Sequence, residues 1–205
     1  MHRFIYNNPE ERLFTTYSWV YWDNAFTNDE LLKIESYCSS KETKTASIVG
    51  SEDLAEIKKI RKSNVQFYER NLETQWIFER FNSIIETINE RYYGYDLNGY
   101  RDFQYTEYRG DESGEYNWHQ DMLHGPNTFN YTRKLSMILC LSEPEKDFVG
   151  GQFEINTGNQ EFPELVDVKR GRMIFFPSYI IHRVKPVTSG TRKSIVVWIT
   201  GPKFV

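Results

Sequence analysis

The feature that most constrains the fold is a change of hydrophobic periodicity near Gly94. Before it, Thr27 to Glu30 forms a capping box that predicts a helix start, and residues 73–91 carry apolar side chains at helical spacing. After it, short β-prone runs alternate with glycine, proline and asparagine. The predicted strands are residues 103–108, 135–141, 152–156, 165–168, 173–176, 183–184 and 194–200. This order predicts an α+β fold, a jelly roll (double-stranded β-helix, cupin-like) with the amino-terminal helices packed on one sheet.

Length and charge narrow the class of protein. With 205 residues, 39% of them hydrophobic, we expect one domain, with residues 1–93 as mainly helical support and lid and residues 94–205 as the catalytic jelly roll. The net charge is −4, which gives no overall field that would attract nucleic acid or an anionic membrane. We therefore expect neither as a partner.

A polar segment at residues 41–64 is predicted to be a long loop that carries a short helix. Its basic run, residues 58–62, has the pattern of a solvent-exposed face. Because the segment is long, contains Gly50 and precedes the catalytic half, we hypothesise that it is a substrate lid.

Cysteine usage and hydropathy indicate a compartment. Cys38 and Cys140 lack metal-ligand spacing and are too few for a disulfide framework, which favours a reducing environment. The chain shows no signal-peptide pattern at its start and no run of about 18 apolar residues. We expect a cytoplasmic protein.

A metal site must draw on four histidines: His2, His119, His124 and His182. His119 and Asp121 are two positions apart, so on an extended segment they project to the same face. His182 follows 61 positions after Asp121, and a facing strand could bring it in as a third ligand. Two histidines and one carboxylate leave open positions that suit Fe(II) and O2. Taken alone, the pair is a short motif, and both histidines could equally be hydrogen-bonded core residues.

The other two histidines are not expected to bind the metal. His124 stands in a glycine-proline turn and is expected to face solvent or substrate, and His2 to lie in a frayed terminus.

Arg192 adds a second feature to the candidate site. It follows His182 by ten residues, after a Ser189-Gly190 turn into the last predicted strand. A guanidinium is a permanent, fork-shaped donor that suits a carboxylate, so a dicarboxylate cosubstrate would explain both the arginine and the metal ligands. The alternative is an ordinary surface strand residue, since Arg183, Lys185 and Lys193 flank it.

Three separate blocks carry a family resemblance: residues 105–121 with His-Gln-Asp, residues 135–153 with Gly-Gly-Gln-Phe, and residues 171–198 with Gly-Arg-Met-Ile-Phe-Phe-Pro. In this order and spacing they resemble the Fe(II)/2-oxoglutarate dioxygenase superfamily, within it the prolyl 4-hydroxylase-like group and the PKHD-type hydroxylases. The resemblance implies that His119, Asp121 and His182 bind Fe(II). It also implies that Arg192 binds the distal carboxylate of 2-oxoglutarate and that Tyr108 lies near this cosubstrate.

The same resemblance points to substrate-side residues. Trp198 matches an aromatic residue near the target proline, Arg133 is a further match, and Tyr116 and Trp118 belong to the pocket segments. Each aromatic residue could instead be plain core. One departure is the apolar run at residues 137–140, where some prolyl hydroxylases place a cosubstrate-binding tyrosine. Another donor must then assist Arg192, and we expect Tyr108 to do so.

The activity implied by the resemblance is hydroxylation of a C–H bond, with 2-oxoglutarate converted to succinate and CO2. It requires Fe(II), 2-oxoglutarate and O2, with ascorbate as a reductant. The expected substrate is a prolyl residue in a protein or peptide, and a monomer is expected. The alternatives are the same chemistry on a free amino acid, another small molecule or an alkylated nucleobase, and a non-catalytic jelly-roll binding module.

Overall fold

The computed structural model describes residues 17–46, 60–122, 130–158 and 161–203. His2, His124 and residues 47–59 of the predicted lid lie outside this part of the chain. The helices are α1 (Asn28–Ser39) and α2 (Gln75–Ile88). The strands are β1 (Val20–Trp22), β2 (Lys44–Thr45), β3 (Arg61–Lys62), β4 (Asn64–Glu69), β5 (Asp102–Arg109), β6 (Glu115–His119), β7 (Tyr131–Cys140), β8 (Phe148–Gly150), β9 (Phe153–Asn156), β10 (Glu164–Leu165), β11 (Met173–Pro177), β12 (Ile181–Val184) and β13 (Val187–Pro202).

Both predicted helices are present. The capping box at the start of α1 is confirmed, because Thr27 Oγ1 accepts a hydrogen bond from the Glu30 amide and the Glu30 carboxylate accepts one from the Thr27 amide. α2 begins two residues later than predicted and continues as a π-helical turn through Tyr93. Gly94 ends it with a φ of 62°, a left-handed conformation that glycine adopts without steric cost.

Two antiparallel sheets form the predicted jelly roll. The larger has the strand order β1-β11-β7-β13-β5-β4-β2, with β8 attached to β13, and the smaller has the order β10-β9-β12-β6-β3. One face of the larger sheet packs on α1 and α2, which confirms the expected placement of the helices. Its other face packs against the smaller sheet. β7 is therefore buried on both faces, with Leu139 toward the helices and Ile138 toward the second sheet.

The predicted loop at residues 41–64 was wrong at both of its described ends. β2 pairs with the start of β4, which sequence analysis missed as a strand, and β3 pairs with β6 through Arg61 and Tyr116. The basic run was also misread at Arg61, which is only 6% exposed. These strands form by pairing with segments that are distant in the chain, such as Arg61 with Tyr116, and the local charge pattern does not indicate that pairing.

No helix among the described residues combines the length and the apolarity needed to cross a membrane.

Candidate metal centre

The structure brings the three predicted metal ligands together. His119 ends β6 and lies directly opposite His182 on β12. Asp121 follows β6, where its amide donates to the Ser178 carbonyl at 2.9 Å. One ligand atom from each side chain lies within 4.8 Å of those of the other two. Three donors from two paired strands thus converge on one point between the sheets.

Backbone and hydroxyl groups orient these ligands. The Nδ1 atoms of His119 and His182 lie 2.7 Å and 2.9 Å from the carbonyls of Asn117 and Ile180. A proton on each Nδ1 leaves both Nε2 atoms as acceptors, and these lie 3.9 Å and 3.7 Å from the Asp121 carboxylate oxygens.

A pair of serines supports the carboxylate. Ser136 on β7 donates a hydrogen bond to Asp121 Oδ2 at 2.7 Å, and its hydroxyl lies 2.9 Å from that of Ser178. Such outer partners fix the geometry of a metal ligand. Sequence analysis missed Ser136, because a lone serine in an apolar strand carries no signature.

The charge state of the cluster suits a divalent cation. Burial acts to raise the pKa of Asp121, but His182, His119 and the Ser136 hydrogen bond outweigh it, so the pKa lies below its usual value. Burial, together with the neighbouring His182, lowers the pKa of His119 to about 3. At neutral pH the site therefore offers an ionised carboxylate and an uncharged His119, the forms that bind metal. The donor set fits Fe(II).

Arg192 is buried near this cluster without a counter-ion. Arg192 is 3% exposed and lies opposite Tyr108 of β5 in the sheet. Its guanidinium lies 5.5 Å above the Tyr108 ring. Among the described residues its one hydrogen bond is long, from Nη1 to Ser194 Oγ at 3.5 Å, and its Nε and Nη2 atoms have no hydrogen-bond partner there. Buried donors are almost always paired, so these two require an acceptor from a bound ligand. The carboxylate of 2-oxoglutarate fits this requirement.

Other polar side chains line the same face of the larger sheet. Gln104, Thr106 and Tyr108 alternate along β5, and Ser194 pairs with Thr106. Gln104 donates to the Thr106 hydroxyl at 2.7 Å, and all of these residues are buried. Tyr108 was predicted beside Arg192, whereas Gln104, Thr106 and Ser194 were not. Together they supply polar groups on this face where the run at residues 137–140 supplies none.

Three of the four predicted substrate residues lie at the metal cluster. The Tyr116 ring stacks on His119 with centroids 3.4 Å apart. Arg133 donates to the Asp121 carbonyl at 3.4 Å and lies 4.0 Å above the ring of Trp198. The Nε1 atom of Trp198 is buried and has no hydrogen-bond partner. These residues form one wall beside the ligands.

Trp118 is separated from this wall. Its ring lies beneath the guanidinium of Arg183 at 4.3 Å, and Arg183 is paired with Glu154. Since Arg183 follows His182 on β12, its side chain projects from the opposite face of the smaller sheet.

Arg61 is a further residue at the site that sequence analysis missed. Its guanidinium lies 4.6 Å above the Tyr116 ring, on the aromatic stack that continues to His119. No local signal distinguishes it from the neighbouring lysines, and only the pairing of β3 with β6 reveals its place.

Comparison with known proteins agrees with this geometry. Residues 103–200 match the family model of the 2OG-Fe(II) oxygenase superfamily, and this segment contains the metal cluster and Arg192. This segment is similar to the superfamily in sequence, and it is the part of the chain that carries the candidate site. The chain is similar to PKHD-type hydroxylases: 37% identical over 94 residues to one from Alteromonas mediterranea, and 46% over 65 residues to one from Hyphomonas neptunium. These matches cover 44% and 32% of the chain, and 40% and 28% of the relatives.

Solved structures share the fold. A prolyl 4-hydroxylase from Pseudomonas putida superposes with a TM-score of 0.71 at 17% identity, covering 93% of this chain and 96% of that one. A prolyl hydroxylase from Trichoplax adhaerens, solved with a hypoxia inducible factor peptide, gives a TM-score of 0.70 at 19% identity, covering 92% and 86%.

Proposed function

We propose that the protein is an Fe(II)- and 2-oxoglutarate-dependent oxygenase that hydroxylates a prolyl residue of a protein or peptide. The observation that carries the proposal is the pairing of the His119-Asp121-His182 cluster with a buried Arg192 whose Nε and Nη2 atoms lack acceptors. A structural core histidine pair would need no adjacent unpaired guanidinium. When bound, Fe(II) supplies the oxidation in which 2-oxoglutarate and O2 become succinate and CO2 while a substrate C–H becomes C–OH.

The protein's residues have distinct tasks in this reaction. His119, Asp121 and His182 hold the metal, with Ser136 and the two backbone carbonyls fixing their orientation. Arg192 holds the distal carboxylate of 2-oxoglutarate against the Tyr108 face. Phe153 and Phe176 contact the His182 ring from the second core cluster and exclude water from that side.

The prolyl assignment rests on the substrate-side wall and on the relatives. Tyr116, Trp198 and the stacked Arg133 provide flat apolar surface next to the ligands, which suits a proline ring. The similar proteins are hydroxylases by name, and two structural neighbours act on proline. A free amino acid, another small molecule or an alkylated nucleobase would use the same metal chemistry.

The decisive test is succinate formation from 2-oxoglutarate by the full chain with Fe(II). Asp121→Ala should abolish it, while the matched control Asp111→Ala, an exposed aspartate, should retain it. Retained Fe(II)-dependent succinate formation in Asp121→Ala would overturn the triad. A protein that binds Fe(II) and 2-oxoglutarate but never forms succinate would instead be a binding module.

Substrate identity needs its own measurement. Incubation of the active enzyme with proteins, proline-containing peptides and free proline, followed by mass spectrometry, should show one added oxygen on a prolyl residue of a polypeptide. Product from free proline alone would move the assignment to a free amino acid. The same assay with and without ascorbate tests its proposed role as reductant.

The cellular compartment and the oligomeric state are also proposals. Cys38 and Cys140 are both buried free thiols, which favours a reducing, cytoplasmic environment and fits a monomer without intermolecular disulfides.

A further inference from the structure

Two arginines on the substrate side of the metal cluster, one buried and one partly buried, have no counter-ion among the described residues. They are Arg61 on β3 and Arg133 on β7. Neither takes part in any ion pair within 4 Å formed by the residues that the structure describes. Arg172, a buried arginine elsewhere in the fold, is held by Asp23 and Asp167. Buried guanidinium groups ordinarily have such partners.

Arg61 keeps most of its donors available. Its Nε donates to Ser63 Oγ at 2.8 Å, which is its one hydrogen bond within the described residues. Its guanidinium carbon lies 4.6 Å above the centre of the Tyr116 ring. An arginine carries five such donors, and one is used.

Arg133 likewise lies over an aromatic ring beside the metal cluster. It lies on the Trp198 ring and makes one long hydrogen bond, to a backbone carbonyl. Burial lowers the pKa of Arg133, and the positive charge of Arg61 adds to this shift, while Asp121, Tyr116 and Asp102 oppose it.

We propose that the substrate carries a carboxylate next to the hydroxylated position and that Arg61, together with Arg133, binds it. The inference rests on the proposed oxygenase function and adds the substrate class. A carboxylate would supply the counter-ion that neither group has among the described residues. Arg192 serves the cosubstrate separately, since it lies on β13 beside Tyr108. The carboxylate comes from an acidic side chain beside the proline or from the main-chain carboxylate of a terminal or free residue.

The test measures binding to the full chain loaded with Mn(II) and 2-oxoglutarate. Isothermal titration calorimetry compares two probe pairs that differ only in charge: acetylated glutamyl-proline amide against glutaminyl-proline amide, and N-acetylproline against its amide. In at least one pair the acid should bind about 10- to 100-fold more tightly, as expected for charge-assisted hydrogen bonds. The first pair reports a side-chain carboxylate, the second a main-chain carboxylate.

Variants then assign the effect to Arg61. Arg61→Gln should remove the preference for the acid, and Arg61→Lys should keep part of it. Arg183→Gln is the matched control, because Arg183 also stacks on an aromatic ring of β6 but on the opposite face of the sheet. It should leave the preference unchanged.

The outcomes separate the two proposals. Equal affinity for acid and amide in both pairs overturns the inference, even if Arg61→Gln does not fold, and so does an acid preference that persists in a folded Arg61→Gln. Failure to bind Mn(II), seen by electron paramagnetic resonance, contradicts the proposed oxygenase instead. The acid-amide comparison stays informative in that case because it measures binding and not turnover.

Discussion

Gly151 offers a direct test of how the cosubstrate arginine is positioned. A Cβ at this residue would lie 3.1 Å from Arg192 Cδ, 3.1 Å from Phe148 and 2.9 Å from Val187. All three side chains are buried, but Arg192 is the longest and most flexible, and its Nε and Nη2 atoms have no hydrogen-bond partner among the described residues, so it is the one that we expect to shift. Gly151→Ala should therefore displace the guanidinium while leaving the metal ligands on β6 and β12 in place.

The size of the effect follows from these contacts. Overpacking of this kind costs about 1–3 kcal/mol, and the left-handed φ of 61° adds about 1 kcal/mol for alanine. Misplacing one charge-assisted contact to the 2-oxoglutarate carboxylate should raise KM for 2-oxoglutarate about 10- to 100-fold. The affinity for Mn(II), measured without cosubstrate, should stay within about twofold, since none of the three contacts of the new Cβ is a metal ligand.

The matched control is Gly158→Ala. Gly158 has a φ of 116°, and a Cβ there meets none of the described residues within 4 Å, so this variant has backbone strain without the steric contact. Steady-state kinetics with varied 2-oxoglutarate, thermal unfolding and metal titration should be run on both variants. The reasoning is refuted if Gly151→Ala keeps the wild-type KM for 2-oxoglutarate, or if Gly158→Ala raises it equally.

Two further predictions concern metal affinity and stability. Ser136→Ala removes the hydrogen bond to Asp121 Oδ2 and should weaken Mn(II) binding, measured by titration, about 10- to 100-fold. The control Ser18→Ala, at the surface, should leave Mn(II) binding unchanged. Unchanged affinity in Ser136→Ala would mean that Ser136 does not position Asp121. Hydrogen bonds and charges from Arg172 and Lys169 lower the pKa of Asp23 to about 2, although burial acts to raise it. The ionised carboxylate therefore stabilises the fold above pH 3.8, and this contribution is lost as the pH falls toward 2. The pKa shift corresponds to about 2 kcal/mol of folding free energy. In urea unfolding, Asp23→Asn should therefore lose about that much stability at pH 7, and its stability should depend less on pH below pH 4. The same pH dependence in the variant and the wild type would contradict this prediction.

The sequence predicts those parts of the molecule that local pattern determines. Local spacing of residues predicts the capping box of α1, the amphipathic α2 and the alternating β7. His119 and Asp121 were predicted to share a face because they are two residues apart on an extended segment. Arg61, Ser136 and the short strands β2 and β3 could not be predicted. Their identity depends on pairing partners distant in the chain, and Arg61 in particular sits in a basic run whose other described member, Lys62, forms a partly exposed ion pair with Glu115.

The net charge of the site gives an independent reason to expect an anionic substrate. Among the described residues, Arg61, Arg133 and Arg192 are the guanidinium groups around the cluster, and Asp121 is the carboxylate within it. A divalent metal adds two positive charges, and 2-oxoglutarate removes two. The occupied site thus keeps an excess of positive charge in a buried region, where charges interact strongly. The half-buried Asp102 compensates this excess only in part, near Arg133. A neutral prolyl peptide would leave that excess unchanged, while one carboxylate beside the proline would reduce it at Arg61 and Arg133, which have no counter-ion among the described residues. On this ground, substrates should bind more weakly as ionic strength rises, whereas binding of a neutral analogue should respond little to salt.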